Sequence, residues 1–111
     1  MRVKDDIKVN AQVFKDLCES HHVHTLYAFG SSTSEKFDPQ RSDIDLLVEI
    51  DSTDPIEKGE LLMDLWDRFE QFFKRKVDLL TESSIRNPYL KNSVQSSKVL
   101  LYDGNSKKVF I

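Results

Sequence analysis

With 111 residues, 39% hydrophobic and 32% charged, the chain has material for one packed core and too little for two. A single domain over 1–111 is expected, with its core in 7–103 and a tail at 104–111. A formal net charge of −3 gives no general attraction to long nucleic acid, whose phosphates need an excess of Lys and Arg. No apolar run approaches the ~20 residues of a membrane span, and Met1–Asp6 is too polar for a secretory signal. The one cysteine, Cys18, cannot form an internal disulfide, which points to a reducing cytoplasm.

In chain order, Ile7, Ala11, Phe14 and Cys18 fall at helical spacing, with Val13 and Leu17 flanking them. This predicts one amphipathic helix from about Asp5 to His21. Val23 to Phe29 is rich in β-branched and aromatic residues and stops at Gly30, so it reads as a first strand. A short helix is expected from Ser31 to about Lys36, then a loop through Asp38-Pro39-Gln40-Arg41, then a second strand over Asp43–Ile50. Asp54 and Pro55 are an N-cap and a first-turn proline. They open a helix whose apolar stripe is Leu62, Leu65, Trp66, Phe69, Phe72 and Phe73. Lys74-Arg75-Lys76 ends that stripe and leads into a third strand, Val77–Leu80. Asn87-Pro88 starts a last helix to about Ser97, and Val99–Tyr102 is expected as an edge strand. The closing residues through Phe110 and Ile111 have no place assigned by pattern.

The chemistry concentrates between Phe29 and Asp45. In a strand, residues two apart share a face, so Asp43 and Asp45 point together while Ile44 enters the core. Two carboxylates so placed repel unless a cation lies between them, and an oxygen-only set suits Mg²⁺ completed by water and substrate phosphates. Gly30 permits a sharp turn and close approach of a ligand, and a helix starting at Ser31 offers N–H groups to phosphate. Asp78, a carboxylate between apolar neighbours, makes sense if the third strand lies beside the second and faces the same cation. Together these residues predict a site for a metal and a nucleoside triphosphate. The cluster His21, His22, His24 with Cys18 has zinc-ligand chemistry, but histidines at a helix C-terminus equally complement its dipole.

Gly30-Ser31, Ser42-Asp43-Ile44-Asp45-Leu46-Leu47-Val48 and Val77-Asp78-Leu79-Leu80 occur in that order. This resembles the nucleotidyltransferase superfamily that includes DNA polymerase β, and within it the minimal nucleotidyltransferases. The resemblance covers roughly Ile7 to Asp103. It implies an α/β (α+β) fold with a small mixed sheet of three to four strands flanked by helices. It also implies two Mg²⁺ ions on Asp43, Asp45 and Asp78, which are its catalytic residues, and ATP or another nucleoside triphosphate at Gly30, Ser31 and Ser42. Many relatives carry a basic cluster and a second glycine after the Gly-Ser pair. This chain has Glu35 in that region, leaving Lys36 or Arg41 to supply the positive charge. Similar proteins pair with a small helical HEPN-type ribonuclease toxin and act as its antitoxin by transferring AMP to a tyrosine. The resemblance therefore implies transfer of a nucleoside monophosphate to a partner's hydroxyl. The alternatives are a catalytically weak antitoxin acting by complex formation, or a small-molecule nucleotidyltransferase of the aminoglycoside type.

Overall fold

The computed structural model describes residues 1–34, 38 and 42–111. Among these residues four α-helices, α1 (Arg2–Val9), α2 (Ala11–Ser20), α3 (Pro55–Phe73) and α4 (Pro88–Ser97), surround five strands: β1 (Val23–Ala28), β2 (Ile44–Ile50), β3 (Val77–Leu80), β4 (Val99–Asp103) and β5 (Lys108–Val109). The strand order is β3-β2-β1-β4-β5. Among the described residues only β2 and β3 pair in parallel, because α3 carries the chain back across the sheet between them; the other pairs are antiparallel.

The predicted first helix is two helices. At Asn10 the backbone leaves helical values (φ −145°, ψ 56°), and a short amide side chain that competes for backbone partners is a weak helix interior. The break lets Val3 and Ile7 from α1 and Phe14 and Cys18 from α2 all reach the core. α3 begins as expected, with the Asp54 carboxylate accepting from the Ile56 N–H and Pro55 in its first turn. It ends at Lys74 in the left-handed region (φ 55°).

The two faces of the sheet differ. Ile44, Leu46, Val48 and Ile50 of β2 join Leu26, Ala28, Val77 and Leu79 in the main core beneath α1, α2 and α3. There Phe14 stacks on Phe69 and meets Phe73 edge-on. The opposite face carries a small apolar cluster of Phe29, Leu47, Ile85 and Val94, with Tyr27 and Leu80 packed against it. Val94 brings α4 onto this face.

The expected edge strand is an inner one. Asp103 and Gly104 turn the chain back, β5 pairs with β4, and the Phe110 N–H donates to the Leu101 carbonyl at 2.9 Å. The terminal segment is thus held by backbone pairing, which hydrophobic pattern alone does not reveal. Gly104 is required there: a Cβ would lie 2.3 Å from the Val23 carbonyl oxygen. No helix among the described residues is long and apolar enough to cross a membrane.

Candidate active site

Strand alternation places Asp45 on the face away from the main core, and the parallel register sets Asp78 directly opposite it. Asp43 lies two residues before Asp45, just outside β2, and is exposed. The start of β3 is fixed from two sides. The Trp66 indole N–H donates to the Val77 carbonyl at 2.7 Å, and a Glu70 carboxylate oxygen accepts from the Val77 N–H at 3.1 Å. The Ile44 N–H donates to the Lys76 carbonyl at 3.1 Å, holding the two strand starts level.

Gly30 opens a 3-10 turn, Gly30–Thr33, where a short helix from Ser31 to about Lys36 is expected; the end of that span lies outside the described residues. The Phe29 N–H donates to the Asp45 carbonyl at 3.1 Å. In return the Asp45 N–H donates to the hydroxyl of Ser32, a fully buried side chain, at 2.8 Å. Both backbone groups of Asp45 are therefore held by this turn. Its carboxylate lies against Gly30, where a Cβ would come within 2.9 Å of Asp45 Oδ2 and where φ is +64°. Glycine is needed here for both reasons. The Gly30 N–H donates to the Ser97 hydroxyl at 3.0 Å, which in turn donates to the Ser93 carbonyl at 2.8 Å. The end of α4 is thereby tied to the turn.

Burial and then the negative charges of Asp78 and Asp43 push the Asp45 carboxyl up to about 6. Each cause makes the metal-free anion costly, and a divalent cation would remove that cost. This is the chemistry of a donor set that fits Mg²⁺. Among the described residues no three His, Cys, Asp or Glu side chains are gathered tightly enough to hold an ion by themselves.

Ser42 lies apart from these contacts: its hydroxyl accepts from the Asp38 N–H at 3.0 Å, and its N–H donates to the Asp38 carbonyl at 2.8 Å. Lys36 and Arg41, the expected phosphate cations, lie outside the described residues, as does Glu35. The histidine cluster is divided among other duties. His21 is buried with its ring against the Leu17 carbonyl at 2.8 Å and Asp64 Oδ2 at 2.6 Å, and burial pushes the Cys18 thiol well up. Sequence reasoning missed Ser32 and Ser97. Ser32 sits in an undifferentiated Ser31-Ser32-Thr33-Ser34 run, and Ser97 is 67 residues from its partner.

The sequence profile of the nucleotidyltransferase domain family matches residues 11–101. The chain belongs to that family. A relative from Methanocaldococcus jannaschii, "Putative protein adenylyltransferase MJ1379", is 31% identical over 97 residues, 87% of this chain and 92% of its own. Among solved structures, a toxin–antitoxin crystal structure with AMP-PNP aligns at TM-score 0.57 and 24% identity, over 85% of this nucleotidyltransferase and 73% of that chain. A complex of a tri-AMPylated Shewanella oneidensis HEPN toxin with its MNT antitoxin aligns at TM-score 0.51 and 24% identity, covering 89% and 74%. At that identity the two structures establish a shared fold. The chain is a nucleotidyltransferase with this family's mixed sheet, here of five strands.

Proposed function

We propose that this nucleotidyltransferase moves AMP from ATP to a hydroxyl of a partner protein and serves as the antitoxin of a HEPN-type pair. The observation that carries the reading is the register of Asp45 against Asp78 beside a Gly30 turn with no room for a side chain. The name of the 31% identical relative supports protein as the acceptor class, and the AMPylated toxin bound by a similarly folded antitoxin supports the pairing.

Asp43, Asp45 and Asp78 would hold two Mg²⁺ ions, whose charge offsets that gathering on the α-phosphate and the leaving pyrophosphate. Asp78, facing Asp45 across the strand pair, is positioned to accept the proton of the incoming hydroxyl. Ser31 would meet the phosphates from the turn, and the Ser32 bond to the Asp45 backbone would fix the distance between turn and carboxylates. Such chemistry draws mainly on alignment and charge neutralisation. Lys36, Arg41 and Ser42 remain the candidates for contacts to the outer phosphates.

Incubation with α-labelled ATP, Mg²⁺ and the protein encoded beside this chain should label that partner, and Asp45→Asn should reduce labelling by roughly a thousandfold. Absence of label with the native chain refutes the transferase reading for that pair. The acidic Glu35 following the Gly30-Ser31 pair in the sequence favours one second reading, an antitoxin that acts by complex formation. An Asp43→Asn, Asp45→Asn double variant that neutralises the partner as well as the native chain would establish it.

A further inference from the structure

The helical side of the molecule has a groove that the proposed chemistry leaves unused. α1, α2 and the end of α3 enclose about 620 Å³ there, and Val9, Val13, Leu17 and Phe72 form the apolar wall. Val9 is 87% exposed and Val13 42%. Covering such side chains removes apolar surface from water, so they form an adhesive wall on the outer side of these helices.

The rim is positive. Arg2, Arg68, Lys74 and Arg75 line the groove against Asp6. Asp64 reaches Arg68 from outside it at 3.7 Å and Arg2 pairs with Asp6 at 3.3 Å; among the described residues the lining itself carries four basic side chains and one acidic one. On a chain of net charge −3 this is a local reversal of sign. The dipole of α3 accounts for cations at its C-terminal end, but not for two exposed valines between them.

Position adds a third argument. α1 packs against the Gly30–Thr33 turn. Lys74 and Arg75 immediately precede Lys76, whose carbonyl holds the Ile44 N–H between Asp43 and Asp45. The groove therefore runs up to the catalytic end of the sheet on its helical side. A partner seated in it would be held next to the carboxylates without covering them.

We infer that this groove docks the acceptor protein by receiving one of its amphipathic helices, with an apolar row for Val9, Val13 and Phe72 flanked by Asp and Glu for the arginine and lysine rim. The identity of the occupant as the acceptor rests on the transferase reading above; the fit of an acidic amphipathic helix rests on the groove alone. Helix-in-groove recognition gives affinity through the apolar row, and charge complementarity gives rate and selectivity.

The test uses two surface variants, Val9→Glu/Val13→Glu and Arg68→Glu/Lys74→Glu, titrated calorimetrically with the protein encoded beside this chain, while label transfer and Mg-ATP uptake are followed in parallel. Each variant should weaken the complex about tenfold or more and slow transfer at low partner concentration, with Mg-ATP uptake unchanged. Hydrogen exchange on the native complex should protect α1 and α2. Native-like affinity of both variants, or no complex with the native chain, overturns the groove. So does sedimentation showing a second copy of this chain already covering Val9 and Val13. If the native pair binds through the groove and no AMP moves, the groove stands and the transferase reading falls. If transfer persists undiminished in both variants, the reverse holds.

Discussion

The two faces of the sheet obey opposite rules. Beneath α1, α2 and α3, β2 contributes Ile44, Leu46, Val48 and Ile50 to a dry, interlocked core. On the other face the same strand presents Asp45, Leu47 and Glu49, and among the described residues four side chains form a buried cluster there. One face supplies stability, and the other spends part of it holding carboxylates near each other. Changes to the first should therefore unfold the protein, whereas changes to the second should alter chemistry first, in some cases with a gain in stability.

The largest expected effect is on the packed face. Phe69 is fully buried and contacts Phe14 and Phe73, so Phe69→Ala should lower unfolding free energy by about 3–5 kcal/mol. Urea denaturation would measure this directly. A loss below 1 kcal/mol would mean that the aromatic layer is not the stabilising element.

Gly30→Ala belongs to the site face. The substitution places a methyl group 2.9 Å from Asp45 Oδ2 at φ +64°, costing about 1–2 kcal/mol of strain. Because the displaced group is a candidate metal ligand, transfer should fall much further than stability does. Equal losses in labelling and melting behaviour would show that Gly30 is only a structural turn.

The pH dependence of the metal-free protein separates the faces by sign. The carboxyl of Asp45 is raised from 3.8 to about 6 in the fold, so the folded state binds its proton more tightly than the unfolded chain does. That contribution is fully present below pH 3.8 and is lost as pH rises through about 6. With Asp45 only partly buried, solvent screening reduces the loss to about 1 kcal/mol. Asp64 has the opposite sign. A hydrogen bond from His21 holds it below the usual carboxylate range, so its contribution is lost only as pH falls through that lowered value. In chelator-treated protein, unfolding free energy should fall between pH 4 and 7, and Asp45→Asn should flatten the curve and raise stability at neutral pH. An unchanged curve in that variant would remove Asp45 as the strained group.

Much of this arrangement was legible because it is local. Asp45 and Asp78 stand out as carboxylates within short apolar strands that the fold sets in register, while Asp43 lies just outside β2; Asp54-Pro55 marks the start of α3 by its own chemistry. The break at Asn10 was hidden because the apolar spacing from Ile7 to Cys18 stays helical across it. β5 was hidden because Lys108–Val109 gains its place from backbone pairing with β4 across a short turn, a bond with no side-chain signature. Ser32 and Ser97 were illegible for the same reason: a hydroxyl that caps a distant N–H looks like any other serine until the chain is folded.

Ser97 gives the smallest predicted effect and the sharpest distinction between support and chemistry. Its hydroxyl links the Gly30 N–H to the last turn of α4. Ser97→Ala removes one neutral hydrogen bond and should cost about 1 kcal/mol of stability. If the link only fastens α4, melting temperature should fall while KM for ATP and kcat stay as they were. If it sets the Gly30 turn against Asp45, KM for ATP should rise severalfold with kcat nearly constant, because the turn is where the phosphates are proposed to bind. Ser97→Thr keeps the hydroxyl and should restore KM more fully than it restores melting temperature, since its added methyl group must be packed beside α4. A KM indifferent to both substitutions would confine α4 to the role of a cover for Leu47 and Phe29, and would place positioning of the turn on Ser32 alone.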